Sequence, residues 1–262
     1  MLNAFVWLLL LCIAMLVSSF VAGCVPLATK LSDSKLHYLT SVSVGLLIST
    51  SLVVIIPEGV ETLYKQHLAQ QMATNHTAVG ISLLVGFALM FVIDQVSSMH
   101  VHQEATTSKE SNSVTIGLIV HAAADGIALG ASVTDPQLSM VVFFAIMLHK
   151  APSAFALTTV LLSEGVLSRS AVRQHLLLFS VAAPAGSIST YLLLQLFKEQ
   201  FDALSLEYWT GILLLFSGGT FLYVAMHSIQ ELPKKKNVCW YQLSAIVVGM
   251  VVPFLLNLNH SH

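Results

Sequence analysis

The chain has 262 residues, 56% hydrophobic and only 9% charged, with a formal net charge of −2 at pH 7 and a mean hydropathy of +0.81. An ordinary soluble domain carries about 25% charged residues, so this chain lacks the charge to cover its own surface in water. A soluble enzyme, a nucleic-acid binder and a disordered tail are excluded, leaving an all-α polytopic membrane protein embedded in a lipid bilayer.

A helix crossing the bilayer needs roughly 20 mostly apolar residues. In chain order, eight runs meet that length: 3–28, 37–57, 79–98, 114–133, 138–162, 174–197, 208–230 and 238–258. They are too long for outer-membrane strands of about 10 alternating residues. The first run has no basic residue before Lys30, and its apolar core exceeds the roughly 7–15 residues of a signal peptide. It is read as a retained helix. Cys12, Cys24 and Cys239 lie in or beside apolar runs, which indicates no disulfide framework. No separate soluble domain interrupts the spans, so residues 1–262 form one transmembrane domain.

Orientation follows from the basic residues. With the N-terminus outside, the cytoplasmic loops hold Lys30, Lys35, Lys109, Arg169, Arg173, Lys234, Lys235 and Lys236, against Lys65 and Lys198 outside. That bias puts both termini on the non-cytoplasmic face. Asn75-His76-Thr77 is a glycosylation acceptor in the loop after the second span, on the same side. Small residues crowd the fourth span (Ala122, Ala123, Ala124, Gly126), the sixth (Ala182, Ala183, Gly186) and the seventh (Gly218, Gly219). They allow close approach of helix backbones, so these helices belong inside the bundle.

Ionisable side chains at mid-membrane are costly and mark function by default. His121 and Asp125 on the fourth span, with His149 and Lys150 on the fifth, cluster in one hairpin. His121 and Asp125 are four residues apart and share a helix face. The connection at Thr134-Asp135-Pro136 is short, so the two spans are antiparallel neighbours. His121 and His149 each lie 14 residues from Asp135, which places both about 21 Å from the turn at ~1.5 Å per residue. Two imidazoles and a carboxylate at one depth suit a divalent transition metal, with the fourth position left open. Histidines that only hydrogen-bond between helices are the plainer alternative. Pro152 kinks the fifth span beside the site, and freed carbonyls there fit a transporter cavity. Pro184 in the sixth span fits either a cavity or simple packing.

Enzymatic readings fare poorly. The glutamate of a His-Glu-x-x-His zinc protease is absent from both His121-Ala-Ala-Ala-Asp125 and His149-Lys150-Ala151-Pro152-Ser153. A haem between the histidines lacks propionate partners, and a Ser153–Lys150 hydrolase lacks an oxyanion element.

These strings resemble the Zrt/Irt-like (ZIP) zinc transporter family, the solute carrier 39 group. That family carries His-Asn-x-x-Asp-Gly on its fourth span and His-Glu-x-x-His on its fifth. Here the matching strings are His121-Ala122-Ala123-Ala124-Asp125-Gly126 and His149-Lys150-Ala151-Pro152-Ser153. Ile56-Pro57-Glu58-Gly59 at the end of span two and Gly219-Thr220-Phe221-Leu222-Tyr223-Val224-Ala225 in span seven are similar to the family as well. Within it, the pair of strings is most similar to the ninth member of the human group and its relatives. The resemblance implies a 3+2+3 arrangement with an inverted repeat, and transport toward the cytosol. It also implies zinc as the transported substrate rather than a resident cofactor, and no organic cofactor.

Three positions depart from the wider pattern: Ala122 for Asn, Lys150 for Glu and Ser153 for His. The resemblance assigns those positions to a second metal site, so the departures imply one metal held by His121, Asp125 and His149, with the Lys150 ammonium in place of a second cation. Glu58, Asp94, His100, His102, His227 and Glu231 are candidates for the path of the ion. No phosphate-binding Gly-x4-Gly-Lys-Ser/Thr loop is present, so a gradient or a coupled ion such as a proton drives movement. A membrane receptor binding its ligand among the helices, and a proton channel, are the rival readings. The sequence leaves open the Golgi or the plasma membrane, the exact metal, and whether the chain forms a homodimer.

Overall fold

The computed structural model describes residues 4–29, 33–69, 76–100, 109–163, 167–196, 203–230 and 240–258. Among them the chain is helical: α1 (Ala4–Ala28), α2 (Asp33–Ser49), a π-helical segment (Thr50–Ile55), α3 (Ile56–Ala69), α4 (His76–His100), α5 (Lys109–Ser132), α6 (Pro136–Ser163), α7 (Arg169–Leu196), α8 (Ala203–Gln230) and α9 (Trp240–Leu258). Among the described residues seven stretches are long and apolar enough to cross a membrane, one of them running through α2 and α3 over Ser34–Tyr64, and α9 is a shorter apolar helix. Helix is the expected outcome of such composition, because every backbone amide in hydrocarbon must find its partner within the chain.

Each of the eight apolar runs coincides with a helix, and the ends differ by a few residues except at the second. There the helix continues past residue 57 as far as Ala69. Pro57 has no N–H and cannot close an α-helical bond. The wider turn just before it, in which the Ile56 N–H donates to the Ser51 carbonyl, takes up the break. The chain then continues as α3, whose Thr62 and Leu63 are buried on the side facing α8.

The helices pack in two groups. In one, α1 lies against α6 and α7, and α5 against α7 and α6. In the other, α2 lies against α9, and α8 against α3 and α4. Two seams join the groups, α5 on α8 and α2 on α6. Glycines set the closest approaches. A Cβ at Gly45 would sit 2.0 Å from the Ile246 carbonyl oxygen of α9, and one at Gly219 would sit 2.1 Å from the Leu83 carbonyl oxygen of α4. Several buried hydroxyls return to their own helix, as where Ser43 donates to the Leu39 carbonyl and Ser187 to the Ala183 carbonyl, which satisfies them inside the bundle.

The turn that positions the site is built locally. Asp135 Oδ1 accepts the N–H groups of Gln137 (2.8 Å) and Leu138 (3.2 Å), capping α6, while Pro136 occupies its first position. The Asp135 N–H closes the turn on the Ser132 carbonyl at 3.0 Å.

Candidate metal centre

His121 and Asp125 stand on α5 and His149 on α6, each with 1% exposure. The tight Asp135 turn sets the two helices antiparallel, and the equal spacing to either side brings the two histidines level, as the sequence predicts. Asp125 Oδ2 lies 2.9 Å from His149 Nε2 and 3.2 Å from His121 Nε2. The imidazole rings are 5.4 Å apart between centroids. One ligand atom from each of the three residues falls within 4.8 Å of the others, and among the described residues no other group of three His, Cys, Asp or Glu side chains comes together in this way.

The hydrogen bonds fix what these atoms can do. Ser217 Oγ on α8 donates to Asp125 Oδ1 at 2.5 Å. Its single proton is thereby used, so at the 2.8 Å contact with His121 Nδ1 the serine oxygen is the acceptor. The Ser217 carbonyl lies 3.2 Å from the same nitrogen. The network therefore assigns the proton of His121 to Nδ1, leaving the Nε2 lone pair directed at the carboxylate. With His121 neutral, these two electron-rich atoms 3.2 Å apart in a buried site repel, and either a second proton on the imidazole or a metal cation relieves that repulsion. His149 Nε2 meets the same carboxylate oxygen at 2.9 Å, and among the described residues its Nδ1 has no hydrogen-bond partner.

A tetrahedral zinc ion with bonds of about 2.0–2.2 Å spaces its ligand atoms by about 3.4 Å. The observed separations of 2.9 and 3.2 Å thus need only a small widening to admit the ion. Phe221 of α8 forms an apolar wall, its ring centroid 4.4 Å from that of His121 and 6.1 Å from that of His149. Such a wall excludes water and strengthens the electrostatics inside.

Of the positions expected to replace a second metal, Lys150 is 1% exposed and its Nζ lies 4.5 Å from the ring centroid of Phe179 on α7. That cation–π contact holds an ammonium group that has no hydrogen-bond partner among the described residues. Ala122 is fully buried. Ser153 donates to the His149 carbonyl at 2.5 Å, so its hydroxyl is engaged by the backbone of α6.

Of the expected path residues whose side chains are described, Asp94 and His227 come together. Glu58 lies in the first turn of α3. Asp94 on α4 accepts from the Tyr223 hydroxyl at 2.7 Å, with His227 Nδ1 at 3.8 Å. The side chain of His100, together with His102, Glu231 and the acceptor Asn75, lies outside the described residues. Ser217 was not legible as a site residue. It sits in an apolar run before Gly218 and Gly219, where a serine reads as helix packing, and only the α5–α8 contact shows its role.

Packed apolar helices enclosing two imidazoles and one carboxylate define a multi-pass membrane protein with a buried donor cluster of the kind that can hold a metal ion. The sequence matches the ZIP zinc transporter family over residues 5–115 and 111–257, and the chain belongs to that family. Among curated relatives, zinc transporter ZIP9 of Xenopus tropicalis is 39% identical over 298 residues, covering 97% of each chain. Zinc transporter ZIP9 of Micropogonias undulatus is 38% identical over 305 residues, again covering 97% of each. Zinc transporter ZIP9 of Macaca fascicularis is 44% identical over 161 residues, 56% of this chain and 67% of that relative.

Proposed function

We propose that the chain carries zinc into the cytosol, from outside the cell or from an organelle lumen, and that His121, Asp125 and His149 hold the ion on its way. The observation that carries this reading is the convergence of His121 Nε2, Asp125 Oδ2 and His149 Nε2 in one buried cluster, a donor set that favours a cation when the imidazoles are neutral. The ligand set is neutral imidazole and carboxylate, ordinary donors for zinc. Three protein ligands leave a coordination position through which the ion exchanges. Because each ligand residue is only 1% exposed, passage requires the two helix groups to move along their seams so that the site opens to one side and then the other.

The eight-span, 3+2+3 arrangement is part of this proposal. The principal helix pairings are closed under one exchange, in which α1 swaps with α7, α2 and α3 with α8, α4 with α9, and α5 with α6. Under it α2·α9 becomes α8·α4, α5·α8 becomes α6·α2, and α1·α6 becomes α7·α5. The glycine contacts follow the same rule. Gly45 meets the α9 backbone and Gly249 the α2 backbone, while Gly219 meets the α4 backbone and Gly86 the α8 backbone. An inverted repeat requires such reciprocity, and with an even number of spans both termini fall on one side.

One ion per chain is the stoichiometry favoured by the lone three-ligand group among the described residues and by the buried ammonium of Lys150. The test is radioactive zinc influx into liposomes holding the purified chain. Wild type takes up zinc and His121→Ala loses most of that uptake. Equal uptake by both, or none by wild type, overturns the reading, and in the second case a receptor function becomes the better account.

A further inference from the structure

Among the described residues, the three ligands receive one side-chain hydrogen-bonding partner from outside α5 and α6, and that partner is Ser217. Its place in the chain is rigid. Gly219 presses on the Leu83 carbonyl of α4, and a Cβ on Gly218 would lie 3.1 Å from Ile56 of α3, so the backbone beside Ser217 is clamped to the helix group that does not carry the ligands. The Ser217 carbonyl accepts from Thr220 Oγ1 at 2.7 Å, which stiffens the same turn. One helical turn further on, Phe221 packs on the His121 ring.

The other seam has a counterpart that touches no ligand. Ser43 stands two residues before Gly45, as Ser217 stands two before Gly219. Its hydroxyl is 2.8 Å from Thr159 Oγ1 on α6, and Thr40 Oγ1 donates to the Thr159 carbonyl at 3.4 Å. Each seam is therefore crossed by a hydroxyl contact, but only the α5–α8 contact ends on the metal site.

We propose that Ser217 is a positioning residue that makes zinc affinity depend on the register between α5 and α8. In the observed register it holds His121 with Nε2 toward the ion and steadies the Asp125 carboxylate. When α5 moves along α8, both bonds are lost together, His121 is free to turn, and the ion is held less tightly. The structure thus assigns the change from tight to loose binding to a contact between the two helix groups, made by a residue that does not itself ligate metal. This rests on the reading that His121, Asp125 and His149 hold the transported ion.

Outer-sphere partners of metal ligands typically contribute about 10- to 100-fold in affinity. The experiment is zinc titration of the purified full-length chain by chelator competition, alongside zinc-influx kinetics in liposomes. Ser217→Ala raises both the zinc Kd and KM by about 10- to 100-fold with a much smaller change in maximal rate. Ser217→Thr keeps the hydroxyl and returns both toward wild type. Ser43→Ala, which breaks the counterpart seam contact, leaves zinc Kd unchanged. Wild-type Kd and KM in Ser217→Ala, or an equal rise in Ser43→Ala, overturns the proposal. If Ser217→Ala is silent while His121→Ala abolishes binding, the positioning role alone fails. If His121→Ala is silent too, the metal-site reading fails with it.

Discussion

Gly126→Ala is the perturbation whose consequences the structure fixes most narrowly. Gly126 follows Asp125, a proposed ligand, on α5 and faces α7. A Cβ there would sit 2.2 Å from the Ala183 carbonyl oxygen and 2.9 Å from the Ala183 carbonyl carbon and Cα. Ordinary contact begins at 3.4 Å, so the helices must separate by about 1.2 Å at this point, an overpacking that costs about 1–3 kcal/mol. At about 2–4 °C per kcal/mol for a chain of this size, the melting temperature in detergent falls by about 2–12 °C. The atoms in the way are backbone, so Ala183→Gly does not rescue the variant. A ligand displaced by about 1 Å can lose 100-fold in function, and zinc KM therefore rises by about tenfold or more. Gly80→Ala is the control, because a Cβ there meets nothing within 4 Å and alanine favours helix by about 0.5–1 kcal/mol. A Gly126→Ala protein with wild-type melting and wild-type KM would refute the packing argument and the link it makes between helix spacing and the site.

Three further outcomes follow from the same geometry. Zinc titration of the wild-type chain saturates at one tight ion, and two tight ions within the α5–α6 hairpin would contradict the role given to Lys150. Zinc uptake is slower when the outer solution is mildly acidic than when it is neutral, since imidazole ligates only without its second proton; equal rates at both values would count against histidine ligation. Asp135→Ala removes the α6 cap and lowers stability by about 1 kcal/mol, with zinc Kd retained because the ligands lie far from the turn; a lost binding site in a folded variant would show that the turn does more than set the helices.

The sequence shows the helical architecture and the convergence of His121, Asp125 and His149 because both are written in simple spacings. Apolar runs of bilayer length become helices, and His121 and His149 fall level because each is equally far from Asp135 along a constant rise. What stays hidden depends on contacts between segments distant in the chain. Ser217 meets His121 and Asp125 across 96 and 92 positions, and no local pattern distinguishes it from Ser187 or Ser43. The continuation of the second helix past Pro57 is hidden for a different reason. A proline in polar surroundings reads as an end, whereas the π-helical turn at Thr50–Ile55 lets the chain pass it. Lys150 is recognisable as an intramembrane charge, but its partner Phe179 lies on α7, where one phenylalanine in an apolar run looks like any other.

X-ray absorption at the zinc edge, recorded on the purified zinc-loaded chain, tests the central claim most directly. Two imidazole nitrogens and one carboxylate oxygen at about 2.0–2.2 Å, with one nitrogen lost in His149→Ala, is the predicted result. A zinc shell containing sulfur, or one unchanged when both His121 and His149 are replaced, would contradict it.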